Sequence, residues 1–188
     1  MTNNIIDTYG LSAGVFIRGL TNLKTQLTKA EHYAASGGGE TALLDAQLAA
    51  KEDSSRSEIH ARADLHMYTL AAQVHWAAEG ARLAIALLLD IKRAPAPNNA
   101  RSFADLHQHL DETIAYLKQI SLDDLQAGLD RTIVIERPQG STRSSGAQFL
   151  VAFAIPHFFY HVVTAYGILR NQGVQLTMGD FLGNWGTS

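Results

Sequence analysis

Apolar residues in the first part of the chain recur at steps of three and four: Phe16, Leu20, Leu23, Leu27 and Ala30. That spacing lines one face of an α-helix and predicts a helix from Ile5 to about Ala35. Ser36-Gly37-Gly38-Gly39 would end it, because glycine reaches the backbone angles of a C-cap without strain. A short helical turn is expected from Glu40 to Ala49. The stretch from Lys51 to Arg62, KEDSSRSEIHAR, has no apolar stripe and reads as an exposed loop. A second helix is expected from Ala63 to about Lys92, with Met67, Leu70, Val74, Ala78, Ala81, Ile85 and Leu88 as its stripe and Pro95 and Pro97 beyond its end. A third runs from about Ser102 to Ile120, opened by the capping pair Ser102 and Asp105, with Phe103, Leu106, Leu110, Ile114 and Leu117 turned inward.

The fourth segment, Ser145 to about Gln172, is apolar on nearly every side, which places it at the centre of a fold. Pro156 interrupts it. Either the helix bends at Ile155, or it begins near Pro156 and residues 147–155 form a separate turn. Between the third and fourth segments, Arg131 to Pro138 (RTIVIERP) favours a strand. One strand is not stable alone, so an extended piece or small hairpin packed on one end is expected. Leu176 to Leu182 reads as a last short helix. The pattern is all-α: a four-helix bundle in one domain over residues 1–188, with a small extended or hairpin segment between helices three and four.

Composition adds exclusions. With 46% hydrophobic and 18% charged residues the chain is an ordinary globular one. A net charge of −3, with lysines and arginines scattered, leaves no basic surface for phosphates, so no nucleic-acid partner is expected. The absence of cysteine removes disulfides, thiolate metal sites and a cysteine nucleophile together. No uninterrupted apolar run approaches the ~20 residues of a membrane span, and MTNNIIDTYG lacks the marks of a secretory signal. A cytoplasmic protein without a membrane partner is expected.

The candidate chemistry lies in the eight histidines. His32, His60, His107 and His109 read as solvent-exposed. His107 and His109, two residues apart, diverge by about 160° on a helix and cannot share a metal. His157 and His161 are four apart and project from one face a turn apart, the spacing by which a helix offers two imidazoles to one metal ion. Without a metal, each buried ring needs a hydrogen-bond partner. A third ligand would come from the second helix, as His66 or His75, and periodicity does not separate them. Position 158 is Phe, so there is no HExxH protease motif. GxSxG, GxxxxGK[ST] and strand-borne GxGxxG are also absent. Trp76, Trp185 and the Phe cluster at 149–159 read as core or interface.

The stretch IPHFFYHVVTAYGILRNQGVQLTMGDFLG resembles the C-terminal signature of the domain-of-unknown-function 1993 family, which reads close to PNFYFHxxTAYxILRxxGVxLGKxDFLG. ADLHMYTLAAQV resembles that family's PDMFPLxxQV, and SFADLHQHLDETIAYL its third-helix pattern. The resemblance implies a helical bundle of the DinB/YfiT-like kind and an unassigned activity. His157 stands where the family usually has Asn, His66 stands where it usually has Asp, and KEDSSRSEIHAR looks like an insertion. The wider DinB-like group often carries three metal-binding histidines, two of them as HxxxH on the last bundle helix, a spacing that HFFYH matches. That implies a divalent metal, zinc or nickel, held by His157, His161 and His66 (or His75), acting on a small molecule. The alternatives are a metal-free pocket served by Gln73, His75, Tyr160 and Asp64, carrying out an isomerisation or cyclisation, and a non-enzymatic homodimer that pairs through an apolar helix face.

Overall fold

The computed structural model describes residues 7–48, 68–137 and 140–184. The loop expected at 51–62, residues 63–67 of the expected second helix, His60, Asp64, His66 and Trp185 lie outside the described residues, and the second long helix begins at Leu70, after the extended Thr69, later than its stripe suggests.

Four long helical segments form the bundle: α1 (Ala13–Tyr33), α3 (Leu70–Leu89), α4 (Phe103–Lys118) and a last segment made of α6 (Gly146–Phe149), one wide turn and α7 (Ile155–Asn171). Around the bundle each packs on its two neighbours in the order α1, α4, α3, α7. The expected stripes supply the core. Phe16, Leu20, Leu23 and Leu27 of α1 meet Leu70, Val74, Ile85 and Leu88 of α3, Leu106 and Leu110 of α4, and Phe158 and Ile168 of α7. Side-chain caps set the helix starts. Thr69 accepts from Ala72 N–H at 3.2 Å, and Ser102 accepts from Asp105 N–H at 3.1 Å. The Asp105 carboxylate in turn accepts from Arg101 N–H, one residue before the cap, at 2.8 Å. Each such cap is worth about 1 kcal/mol.

Pro156 neither breaks the last helix nor sharply ends it. Residues Leu150–Ala154 form a π-helical turn, and α7 follows with Pro156 at its first positions. Proline lacks the N–H that would donate one turn back. In the wider turn Ile155 N–H instead reaches Leu150 C=O, so the irregularity falls just before the proline. By length and composition Gly146–Asn171 is apolar enough to cross a membrane, with a mean hydropathy of 1.5, which a search for unbroken apolar runs does not reveal. Here it is one of the four bundle helices and not a central one: Phe158, Val162, Ala165, Ile168 and Leu169 are buried, while Val151, Tyr160 and Val163 on its other side are exposed.

The strand-like stretch is one arm of an antiparallel hairpin. β1 (Thr132–Arg137) pairs with β2 (Gly140–Ser145), from Thr132 opposite Ser145 to Arg137 opposite Gly140. α2 (Glu40–Leu44) and α8 (Met178–Leu182) are the two short helices expected. α8 is held by polar residues of α1: Asn22 and Gln26 donate to the carbonyls of Phe181 and Asp180, and Lys29 lies 2.7 Å from the Asp180 carboxylate.

Sequence patterning did not anticipate α5 (Leu122–Leu129), a short helix with Leu125 and Gly128 buried. It ties α3 to the start of α6 through backbone contact. A Cβ on Gly128 would stand 2.6 Å from Leu88 C=O, and one on Gly146 would strike Gly128 C=O. Both glycines are required by this approach of three backbones. Gly128→Ala is therefore expected to destabilise the fold by about 1–3 kcal/mol, the usual cost of overpacking, despite alanine's better helix propensity. Thermal unfolding checks this: an unchanged or raised Tm would show that the backbones separate freely.

Candidate functional site

The last helical segment carries a column of rings. Phe149, Phe153, His157 and His161 follow one another along one side, with ring centroids 5.8, 5.4 and 4.7 Å apart. The first two contacts are near-parallel and the His157–His161 contact is edge-on at 78°. Phe158 points the other way, edge-on to Phe16 of α1. The helix thus divides into a core face and a ring face, and the ring face looks onto α3.

His161 is 4% exposed, and its Nδ1 lies 2.7 Å from Oε1 of Gln73, itself fully buried on α3. An amide oxygen only accepts, so this contact places a proton on Nδ1 and leaves Nε2 with a lone pair. The Gln73 Nε2 group has no hydrogen-bond partner among the described residues. Burial, followed by the neighbouring His157, pulls the His161 imidazole down to about 4. Burial lowers His157 as well. Both rings are uncharged at neutral pH. Gly80 of α3 makes room for His157: a Cβ there would lie 3.2 Å from His157 Nδ1, tighter than a side chain ordinarily sits.

Two adjoining cavities flank the pair. The larger, about 370 Å³, lies between α3, β1 and the ring face, with walls from Leu83, Ala84, Leu87, Ile135, Phe149 and Phe153. The smaller, about 310 Å³, is bounded by Tyr68, Trp76, His157, Tyr160 and His161. His157 and Trp76 line both. An apolar wall with a few convergent polar groups is the usual character of a small-molecule site.

Of the residues singled out from sequence, His157, His161, Gln73 and Tyr160 come together here. His75 does not. It stacks on His109 of α4, with centroids 5.3 Å apart, and lines a different cavity. His66 and Asp64 are outside the described residues. Among the described residues no three His, Asp or Glu side chains form a metal-holding group. The two imidazoles and the tautomer set by Gln73 suit nitrogen ligation of a metal, but a third protein donor is not among the described residues, so the fit is incomplete.

Two expectations need correction. His107 and His109 are not solvent-exposed: both are half-buried, with His107 Nδ1 and His109 Nε2 enclosed by protein. Each points from α4 toward a neighbouring helix, His107 to Glu31 of α1 at 3.7 Å and His109 to α3. Divergent rings on one helix can both be buried when that helix has neighbours on two sides. His32 is exposed as expected.

Sequence reasoning also passed over Glu79. It is 3% exposed and grips the α3–α4 connection: Arg93 donates to both of its oxygens, at 2.9 and 3.0 Å, and Ala96 N–H donates at 3.0 Å. Burial works to raise this carboxyl, but these hydrogen bonds and the charge of Arg93 hold it below the ordinary range. Its position four residues after His75, on the same helical face, was the available signal.

The pH dependence of stability follows from the buried rings. A free imidazole titrates near 6.5, and His161 in the fold near 4. Between those values the unfolded chain binds a proton that the folded chain refuses, so His161 contributes nothing above about pH 6.5 and erodes stability as pH falls toward about 4. His75, His109 and His157 are lowered too, burial first in each case, and act with the same sign. The urea midpoint is expected to fall between pH 7 and 4.5, and His161→Gln to make the fall shallower by up to ~1.4 kcal/mol per pH unit, one proton's worth. Parallel pH profiles for the two proteins would show that His161 titrates normally in the fold.

Comparison with known proteins identifies the family and the fold. The model of the family described as a domain of unknown function, DUF1993, matches residues 8–182. A solved structure described as a DinB family member protein from Shewanella denitrificans superposes with a TM-score of 0.77 at 27% identity, covering 96% of this chain and 94% of that one. No curated protein matches. The chain therefore belongs to the DUF1993 family and has the all-α, DinB-like bundle fold.

Proposed function

We propose that this DinB-like bundle binds an apolar small molecule in the cavity beside the ring column, with the ligand's polar atom turned to His157. The observation that supports this reading is the position of His157: an uncharged imidazole on the shared wall of two cavities, at the end of a row of apolar rings. An uncharged imidazole in a largely apolar cavity is suited to act as general base. In this reading His157 takes a proton from the bound molecule, as an isomerisation or cyclisation requires, while Gln73 and His161 fix its surroundings. Tyr160, about half exposed, sits at the mouth of the smaller cavity.

A second reading has its own support. Gln73 orients His161 as the outer partners of metal-ligating histidines do, leaving Nε2 for a ligand. His157, His161 and His66 would then hold zinc or nickel, which would supply a Lewis acid or an activated water.

The exposed apolar groove formed by Leu11, Leu122, Leu129, Leu150, Val151 and Ile155 supports assembly as a homodimer, which light scattering measures directly. A cysteine-free chain also suits the reducing cytoplasm.

N-phenyl-1-naphthylamine, an uncharged apolar fluorophore, tests the first reading. Saturable binding of one equivalent is expected, weakened about tenfold by Leu83→Asn, which removes apolar wall at an already exposed position (one decade is ~1.4 kcal/mol). His157→Asn should leave binding within about twofold while removing the proton acceptor. Binding indifferent to Leu83→Asn would exclude this cavity. Titration with zinc and nickel tests the second reading: one equivalent bound, and lost in both His157→Asn and His66→Ala, is its expected outcome, and no binding ends it.

A further inference from the structure

Every residue that lines the smaller cavity, of about 310 Å³, carries a ring: Tyr68 just before α3, Trp76 on α3, and His157, Tyr160 and His161 on α7. Trp76, Tyr68, His161 and Tyr160 follow one another with centroids 6.1, 6.3 and 5.2 Å apart, and His157 joins His161 at 4.7 Å. Neighbouring planes are inclined by 38°, 40°, 78° and 78°, so the rings form a bent wall around a space and not a flat stack. Much of their surface is open: Tyr68 is 49% exposed, Trp76 36% and Tyr160 53%. Scattered singly, such residues need no explanation, but three around one cavity form a patch that a ligand would cover.

The rings select the charge of that ligand. Among the described residues no charged side chain lines the cavity. Burial alone lowers His157, and burial followed by His157 lowers His161, so no arginine or lysine acts on either ring. Arg93 lines the larger cavity instead, where both Glu79 oxygens accept from it. No fixed cation therefore opposes a positive guest. An aromatic face carries the negative part of the ring quadrupole and attracts a cation set against it. A primary ammonium brings three N–H donors, and the two neutral imidazoles offer at most one acceptor each, with no carboxylate beside them. A fully methylated ammonium has no N–H to satisfy, and its methyl groups pack against the rings. A neutral apolar group gains the packing without the attraction, and the ring faces repel an anion.

We propose that the ring-lined cavity at Tyr68, Trp76 and Tyr160 is a binding site for a quaternary ammonium group carried by a small molecule, with His157 and His161 as uncharged parts of its wall. The site needs no ligand in the larger cavity and stands or falls without one. A metal ion on His157 and His161 would put positive charge on the same wall, so the two occupants exclude each other.

Choline is the probe. It is compared with 3,3-dimethyl-1-butanol, which has carbon in place of the charged nitrogen, and with ethanolamine, which lacks the methyl groups. Histidine side-chain and indole N–H resonances are followed by ¹H–¹⁵N NMR at pH 7.5. The expected result is saturable shifts at His161 and Trp76 with choline, about tenfold tighter than with either analogue, the scale of a cation set against more than one ring. Tyr160→Phe keeps the aromatic face and should bind choline within about twofold of the unaltered protein, whereas Tyr160→Leu, an apolar change at a half-exposed position, should weaken it roughly three- to fivefold and leave 3,3-dimethyl-1-butanol unaffected. Choline that gives no saturable shift, binds no tighter than the neutral alcohol, or weakens equally in the Phe and Leu variants would overturn the assignment.

Discussion

A buried polar contact between the two most extensively paired helices governs this site: Gln73 of α3 against His161 of α7, 2.7 Å apart and both buried. A polar group taken out of water has to find a partner, and these two find each other across eighty-eight positions of sequence. The contact sets how α3 and α7 face one another, hence the direction of His157 one turn earlier and the opening of both cavities onto it. Gly80 completes the arrangement by leaving space for the His157 ring. Packing positions the rings, and the same burial that positions them keeps them uncharged.

Much of the fold was legible because it rests on periodicity. The stripes of α1, α3, α4 and α7 are the core of the structure, and the capping pair at Ser102 and Asp105 forms as its spacing suggests. Elements that depend on tertiary contact were less legible. α5 is eight residues long with two buried positions, too few for a pattern, and it is held by the meeting of Gly128, Gly146 and Leu88 backbones. The π-turn before Pro156 is a compromise between a proline and a continuous apolar helix that neither residue type announces alone.

The site was legible in part for the same reason. Four-residue spacing joined His157 to His161, and it also carries Phe149 and Phe153 in the same column. Spacing within a helix says nothing of what faces it. Periodicity alone left His75 undecided, and the packing of α3 against α4 turns it to His109, while Gln73, two residues earlier, takes the place opposite His161. His107 and His109 looked like surface residues because each lies off its helix's main apolar stripe, yet α4 has a neighbour on either side.

The central claim is that a buried amide fixes the proton on one nitrogen of His161. Long-range ¹H–¹⁵N NMR of the histidine side chains at pH 7 reads the tautomer directly. An uncharged His161 ring protonated at Nδ1, with Nε2 bare, is the predicted result. A ring protonated at Nε2, with the Gln73 amide donating to Nδ1, or an imidazolium at that pH, would contradict the account.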